Sequence, residues 1–69
     1  MGKVYKKVEL VGTSEEGLEA AIQAALARAR TTLRPPDWFE VKEIRGTIGE
    51  AGVKEYQVVL EVGFRLEET

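Results

Sequence analysis

Four side chains of this 69-residue sequence have the chemistry to hold a flat, charged ligand: Trp38, Gln57, Arg45 and Arg65. An indole on a polar surface is either an anchor for a protein interface or a platform on which a planar ligand stacks. The Gln57 amide donates and accepts at once, which suits the donor–acceptor edge of a heterocycle, although an ordinary exposed strand residue explains it equally simply. The two arginines can bind a phosphate through parallel hydrogen bonds, or can pair with glutamates on neighbouring strands.

The composition excludes most catalytic chemistry. The chain has no histidine and no cysteine, so it lacks the Ser-His and Cys-His nucleophile pairs and any imidazole base, thiolate metal ligand or disulfide. No paired-carboxylate motif stands out, and no metal site is recognisable. We therefore expect a binding protein and not an enzyme.

Charge and hydropathy also limit the classes of partner that the protein is expected to bind. The net charge is −2 and the pI is about 5.1, whereas general nucleic-acid binders are usually basic. No apolar run approaches the ~20 residues of a membrane span, and we expect no signal peptide. These features predict a cytoplasmic protein with no nucleic-acid partner and no membrane association.

The length predicts one domain spanning residues 1–69. A lone domain of this size buries only about 60% of the surface that its unfolded chain exposes. The resulting hydrophobic gain is close to the conformational entropy lost, so a monomer is only marginally stable. We therefore expect self-association.

The first half of the chain predicts a strand followed by a helix. Residues 3–12 alternate apolar and polar side chains, as in a strand with one buried face. Thr13 begins an S/T-x-x-E capping box, which predicts a helix over residues 14–32 that ends before Pro35 and Pro36. One face of this helix carries a stripe of apolar residues at helical spacing: Leu18, Ile22, Ala25, Leu26, Ala29 and Leu33.

A second stripe of small residues lies on the opposite side of the predicted helix, formed by Ala20, Ala24, Ala27 and Thr31. It reflects either helix propensity or a surface that another subunit approaches closely.

The second half of the chain predicts a hairpin. Residues 37–48 form a strand in which the apolar positions change parity, and a bulge near Lys42 and Glu43 reconciles the two halves. A turn at 49–52 leads to a third strand over residues 53–66, whose alternate positions are almost all apolar.

The predicted order is β-α-β-β, an α+β fold with the third strand between the other two and all neighbours antiparallel. The helix covers one face of this three-stranded sheet, and the other face stays bare. Strand parity places Phe39, Tyr56 and Phe64 on the helix side as core residues. It places Trp38, Gln57, Arg45 and Arg65 together on the bare face.

Three stretches carry a resemblance to a known family: KVYKKVELVGTSEEGLEAAI, PPDWFEVKEIRGTI and EYQVVLEVGFRLE. With the length and the β-α-β-β order, these stretches resemble dodecin over essentially the whole chain. Each stretch alone is weakly specific. The tryptophan that opens the second strand, the EIRG segment and the glutamine of the third strand are together quite specific.

The resemblance implies a fold, an assembly and a ligand. Dodecins are small flavin-binding proteins that form hollow dodecamers with 23 symmetry. The resemblance implies that Trp38 stacks on an isoalloxazine ring, with two flavins between tryptophans of symmetry-related subunits, and that Gln57 hydrogen-bonds the pyrimidine edge. It implies Arg45 and Arg65 near the flavin or its phosphate. It also implies FMN or riboflavin as the stored ligand, and coenzyme A at a separate subunit surface.

Two other functions are compatible with the same residues. One is a flavin-dependent redox enzyme, although a flavin enclosed by two indoles leaves little room for a substrate. The other is a structural self-assembly module, in which Trp38 packs on another subunit and no ligand is bound.

Overall fold

A computed structural model describes residues 2–32 and 34–66. The elements follow the predicted order: β1 (Tyr5–Ser14), α1 (Leu18–Thr32), β2 (Trp38–Gly49) and β3 (Gly52–Arg65). In the described part of the chain, no helix is long and apolar enough to cross a membrane.

The sheet has the order β1-β3-β2, and both neighbours of β3 run antiparallel to it, as predicted. The predicted bulge is confirmed, because the register of β2 on β3 shifts between Val41 and Glu43. A second shift between Thr47 and Ile48 was not predicted. The hairpin turn ends at Gly52, whose φ is 118°. Residues other than glycine rarely adopt this backbone conformation.

The helix begins later than the capping box suggests. Thr13 and Ser14 belong to β1, because they pair with Gln57 and Tyr56 of β3. In the first turn of the helix, the Ala21 amide donates a hydrogen bond to the Gly17 carbonyl at 3.1 Å. Ser14 Oγ instead accepts a hydrogen bond from the Glu16 amide at 2.9 Å and shapes the turn that precedes the helix. The predicted Thr13 cap is therefore wrong, since strand pairing extends through that residue.

The helix packs closely on β1 and β3 through small residues. Its buried stripe is Ala21, Ala25 and Ala29, and only the last two were predicted to face the core. Ile22 and Leu26 flank this stripe half-buried, whereas Leu18 is 38% exposed. Leu33, the last member of the predicted stripe, lies outside the described residues. The second small-residue stripe faces away from the sheet, with Ala24, Ala27 and Thr31 exposed.

Gly12 explains why alanines make this contact. A Cβ added to Gly12 would lie 3.0 Å from Ala25 Cβ and closer still to the Ala21 carbonyl oxygen. The helix backbone therefore rests directly on β1, at a distance that a larger residue on either side would prevent. Val58, Leu60, Val62 and Phe64 of β3 complete the core beside this contact.

The apolar side of β2 is not covered by the helix. Phe39 was predicted to be a core residue, yet 45% of it is exposed, and Ile48 is 84% exposed. Val41 and Ile44 on the same side of β2 are exposed as well. Because the single helix packs on β1 and β3, no layer covers β2. The prediction that Phe39 is a core residue is therefore wrong for the single chain.

We expect Gly12→Ala to destabilise the protein by about 1–3 kcal/mol, the usual effect of overpacking a close contact. The added methyl group would force the helix away from β1. Chemical denaturation of the variant and the unaltered protein measures the difference. Gly49→Ala is the matched control, because an added Cβ there meets only side-chain atoms of Lys54 at 3.5 Å or more. Equal stability of the two variants would contradict the close helix–strand contact.

Candidate functional site

The bare face of the sheet carries all four predicted site residues. In an antiparallel sheet, directly paired residues project to the same side. Trp38 pairs with Gly63, Arg45 pairs with Gln57, and Arg65 pairs with Tyr5. Because Gln57, Gly63 and Arg65 are separated by even numbers of positions along β3, they share one face. The structure therefore confirms that the four residues lie on the side opposite the helix.

The segment before Trp38 is fastened to the end of β3 by three hydrogen bonds. The Asp37 amide donates to the Gly63 carbonyl at 2.8 Å. The Asp37 carboxylate accepts from the Arg65 amide at 3.0 Å, and the Arg34 guanidinium donates to the Arg65 carbonyl at 2.9 Å. Pro35 and Pro36 further restrict this backbone. The backbone segment that carries Trp38 therefore has little freedom to move.

The indole of Trp38 lies over Gly63. A Cβ added to Gly63 would overlap the six-membered ring of the indole. The Tyr5 ring stands beside it, with ring centroids 5.8 Å apart and planes tilted by 49°. Trp38 keeps 38% of its surface exposed. The indole is thus supported from below and from one side, and its remaining surface is open to a ligand or to another chain.

The polar residues form a connected cluster further along the same face. Arg45 Nε donates to Gln57 Oε1 at 2.9 Å, and Gln57 Nε2 donates to Glu55 Oε1 at 3.1 Å. The Arg45 guanidinium also pairs with Glu43 Oε1 at 3.4 Å. Arg45 thus pairs with a glutamate, as expected for its alternative role, but Glu43 lies on the same strand and not on a neighbouring one. This ion pair coexists with the bond to Gln57.

Trp38 and Gln57 do not meet within one chain. Gly63, which lies under the indole, and Gln57 are six positions apart on β3. At ~3.3 Å per residue, these two backbone positions lie about 20 Å apart along the strand. One flavin ring system is too short to contact both residues of the same chain. The sequence placed them on one face, and the structure shows that they mark its two ends.

A charged strip separates the two ends. Lys7 Nζ lies 2.8 Å from Glu61 Oε1 and 3.1 Å from Glu40 Oε1, and Lys42 Nζ lies 3.9 Å from the same Glu61 oxygen. The hydrogen bond from Lys7 lowers the pKa of Glu61. Its bonds to Glu61 and Glu40 raise the pKa of Lys7. Lys7 and Glu61 therefore stay charged at neutral pH, and the middle of the bare face is strongly polar.

Arg65 belongs to the tryptophan end of the face. It follows Gly63 by two positions and pairs with Tyr5, whose ring contacts the indole. Among residues 2–32 and 34–66, no carboxylate lies within ion-pair distance of its guanidinium. Arg65 therefore brings a positive charge to the tryptophan end of the bare face.

Sequence reasoning missed four supporting residues: Gly63, Asp37, Tyr5 and Glu55. A glycine inside an otherwise regular strand signals close approach of another group, so Gly63 could have been recognised. Asp37 lies at the strand entrance, where carboxylates often accept backbone hydrogen bonds. Tyr5 and Glu55 have the strand parity of the bare face, but their contacts depend on the register of two strand pairs, which parity alone does not fix.

The fold and the site define a class of protein. A three-stranded antiparallel sheet carries one helix on one face, and on its open face it carries an indole at one end and a fixed amide at the other. Such a surface offers an aromatic contact at one end and a hydrogen-bonding amide at the other, either to a planar molecule or to a second chain.

Comparison with known proteins agrees with this class. Residues 4–67 match the dodecin family model. A curated dodecin from Thermus thermophilus is 96% identical over 69 residues, which is all of both chains. The crystal structure of the tt0972 protein from T. thermophilus has a TM-score of 0.92 and 96% identity, covering 99% of this chain and 100% of that one. The dodecin of Streptomyces coelicolor has a TM-score of 0.88 and 48% identity, covering 97% and 96%. The chain belongs to the dodecin family.

We expect Gly63→Ala to displace the indole, because the new methyl group would occupy its position. Trp38 is the single tryptophan of the sequence, so intrinsic fluorescence reports on this side chain alone. The emission of the variant should shift to the red as the indole loses its support and enters water. Gly49→Ala serves as the control and should leave the spectrum unchanged. An unshifted spectrum for Gly63→Ala would show that the indole does not rest on Gly63.

Proposed function

We propose that this chain binds FMN or riboflavin and stores or sequesters it in the cytoplasm. Pairs of isoalloxazine rings stack between Trp38 side chains of symmetry-related copies in a dodecameric shell. The observation that carries this proposal is the fixed, half-exposed indole at one end of the bare face. Membership of the dodecin family is the second support.

The support around Trp38 favours stacking on a flat ligand. The hydrogen bonds of Asp37 and Arg34 hold the backbone, and Gly63 and Tyr5 hold the ring. A ring that is already ordered loses little conformational entropy when a ligand stacks on it. Base–aromatic stacking contributes about 1–3 kcal/mol per ring, and a flavin offers a larger flat surface.

The separation of the two ends supports a site made from more than one copy. Since Gln57 lies about 20 Å along the strand from Gly63, under the indole of its own chain, a flavin that contacts both Gln57 and Trp38 takes them from different subunits. Gln57 then reads the pyrimidine edge while Trp38 stacks on the ring face. In a symmetric assembly, both roles are repeated at every equivalent site.

Arg65 is the residue that best suits the FMN phosphate. It lies at the tryptophan end, and its guanidinium has no ion-pair partner among the described residues. A guanidinium can bind a phosphate through two parallel hydrogen bonds. Arg45 is less suited to this role, because its Nε and one Nη are engaged with Gln57 and Glu43.

The surface of one chain favours assembly. Phe39, Val41, Ile44 and Ile48 expose the apolar side of β2, and Val53 continues this surface on β3. Contiguous apolar surface of this kind marks a protein interface. Neighbouring copies in a shell would bury it and add the core that one helix does not supply.

Binding accounts for the site better than turnover does. A flavin held between two indoles leaves little space for a substrate, and the composition offers no histidine or cysteine to transfer protons or form adducts. Coenzyme A at a separate surface stays a prediction from the family resemblance, with no residues of this chain assigned to it.

We expect the protein to sediment near the mass of twelve chains, about 92 kDa from twelve times 7.7 kDa. The reason is the uncovered side of β2, together with a flavin site that one chain cannot complete. Analytical ultracentrifugation at micromolar concentration measures this mass. A stable monomer or dimer would contradict both the shell and the flavin site.

Trp38→Ala should weaken flavin binding roughly 5- to 150-fold, which corresponds to the loss of ~1–3 kcal/mol of stacking. Bound flavin should lose nearly all its fluorescence in the unaltered protein, because an electron-donating indole contacts the ring. Titration of FMN while following flavin emission measures affinity and quenching together.

Trp38→Phe is the matched control for this titration, since it keeps an aromatic face of smaller area and should retain part of the affinity. Circular dichroism should show an intact fold in both variants, because Trp38 lies outside the helix-covered core. If Trp38→Ala binds and quenches FMN as well as the unaltered protein does, the ligand lies elsewhere.

A further inference from the structure

We propose that Arg45 and Glu55 are positioning residues that fix the orientation of the Gln57 carboxamide. They thereby select ligands that present a hydrogen-bond donor next to an acceptor. This inference rests on the proposed flavin function and adds a specificity mechanism to it. Neither residue needs to touch the ligand in this role.

The hydrogen-bonding capacity of Gln57 is half used by these two neighbours. A glutamine amide offers two oxygen lone pairs and two N–H groups. Arg45 Nε donates to the oxygen at 2.9 Å, and Glu55 Oε1 accepts from the nitrogen at 3.1 Å. One lone pair and one N–H group remain for a ligand.

The opposite orientation of the amide is disfavoured at both ends. Rotation by 180° would turn the NH₂ group toward the Arg45 Nε–H, so two donors would face each other. It would also turn the carbonyl oxygen toward the Glu55 carboxylate, so two acceptors would face each other. Each mismatch would leave a charged group without the hydrogen bond that it makes now, and such bonds are stronger than neutral ones.

Arg45 is itself held in place. Its guanidinium pairs with Glu43 at 3.4 Å on the same strand, and the strand register sets Arg45 directly beside Gln57. Glu55 lies two positions before Gln57 on β3 and therefore on the same face. The three contacts form a chain that runs from Glu43 through Arg45 and Gln57 to Glu55.

The fixed amide suits one class of ligand edge. Its remaining acceptor faces a ligand N–H, and its remaining donor faces a ligand carbonyl. The pyrimidinedione edge of a flavin, where an imide N–H lies beside a carbonyl, has this pattern. A ligand with a methyl group on that nitrogen cannot donate there and leaves the amide oxygen without a partner. An amide held in this orientation should therefore bind it more weakly than the ligand that carries the N–H group, and an amide that is not held should discriminate less.

Riboflavin and N3-methylriboflavin test this mechanism, because neither carries a phosphate. We expect the unaltered protein to prefer riboflavin at least fivefold, the value of about one hydrogen bond. Arg45→Ala and Glu55→Ala should each reduce that preference several-fold. Glu9→Ala is the matched control. It also removes a carboxylate from the bare face of the sheet, but Glu9 lies on β1 and makes no contact with Gln57.

The double variants Arg45→Ala/Gln57→Ala and Glu55→Ala/Gln57→Ala separate indirect from direct action. If both residues act through Gln57, neither substitution should change riboflavin affinity or the preference further once Gln57 is alanine. Losses of equal size with and without Gln57 would overturn the inference, since the residues would then act on the ligand or the interface themselves.

Failure of the underlying function has a different signature. Absence of riboflavin binding by the unaltered protein would overturn the flavin proposal and this inference together. Binding with an unchanged preference in Arg45→Ala and Glu55→Ala would overturn the positioning role alone. Sedimentation of every variant beside the unaltered protein shows that the assembly is retained.

Discussion

The single helix rests on β1 and β3, and this placement leaves β2 uncovered on both faces. A three-stranded sheet is wider than one helix. The helix lies closest to β1, because the missing side chain of Gly12 lets the Ala21 carbonyl approach the strand backbone there. The core is therefore concentrated on β3, with Val58, Leu60 and Val62 fully buried. The apolar residues of β2 lie outside this core and need a second layer from another copy. The arrangement of one chain thus already favours assembly.

Two glycines allow close contacts on opposite faces of the same sheet. Gly12 admits the helix backbone on one face, and Gly63 admits the Trp38 indole on the other. In both cases the missing side chain lets a group lie directly against the strand. Packing of this kind is stiff, because the neighbour contacts backbone and not a flexible side chain. The indole is therefore positioned by the sheet itself, together with the backbone hydrogen bonds of Asp37.

Much of the fold follows from local patterns in the sequence. The parity of Val58, Leu60, Val62 and Phe64 identified β3 and its central position, and the parity change near Lys42 located the bulge. The packing of the helix was harder to predict from the sequence. An apolar stripe indicates which face of the helix is buried, but not how closely that face approaches the sheet. Leu18 was expected to be buried but is 38% exposed, whereas Ala21, which was not predicted to face the core, lies beside the predicted Ala25 in the contact with Gly12.

The site residues were predicted on the correct face, but the distances between them were not. Parity sorts side chains between two faces and carries no information about separation along a strand. The position of Gln57 relative to Trp38 depends on which residue of β3 faces the start of β2, and this register is a property of the folded hairpin. The bond between Arg45 and Gln57 depends on the same register.

A site whose halves lie at opposite ends of one face couples ligand binding to assembly. On the proposed function, flavin binds only where copies meet, so it stabilises the shell and not the separate chain. By mass action, ligand at a hundred times its dissociation constant stabilises the binding-competent state by about 2.7 kcal/mol per site. One chain has little stability of its own at this length, so such a contribution is large. On the same proposal, the loaded shell is the most stable form of the protein, and each ligand that is lost removes the contribution of its own site.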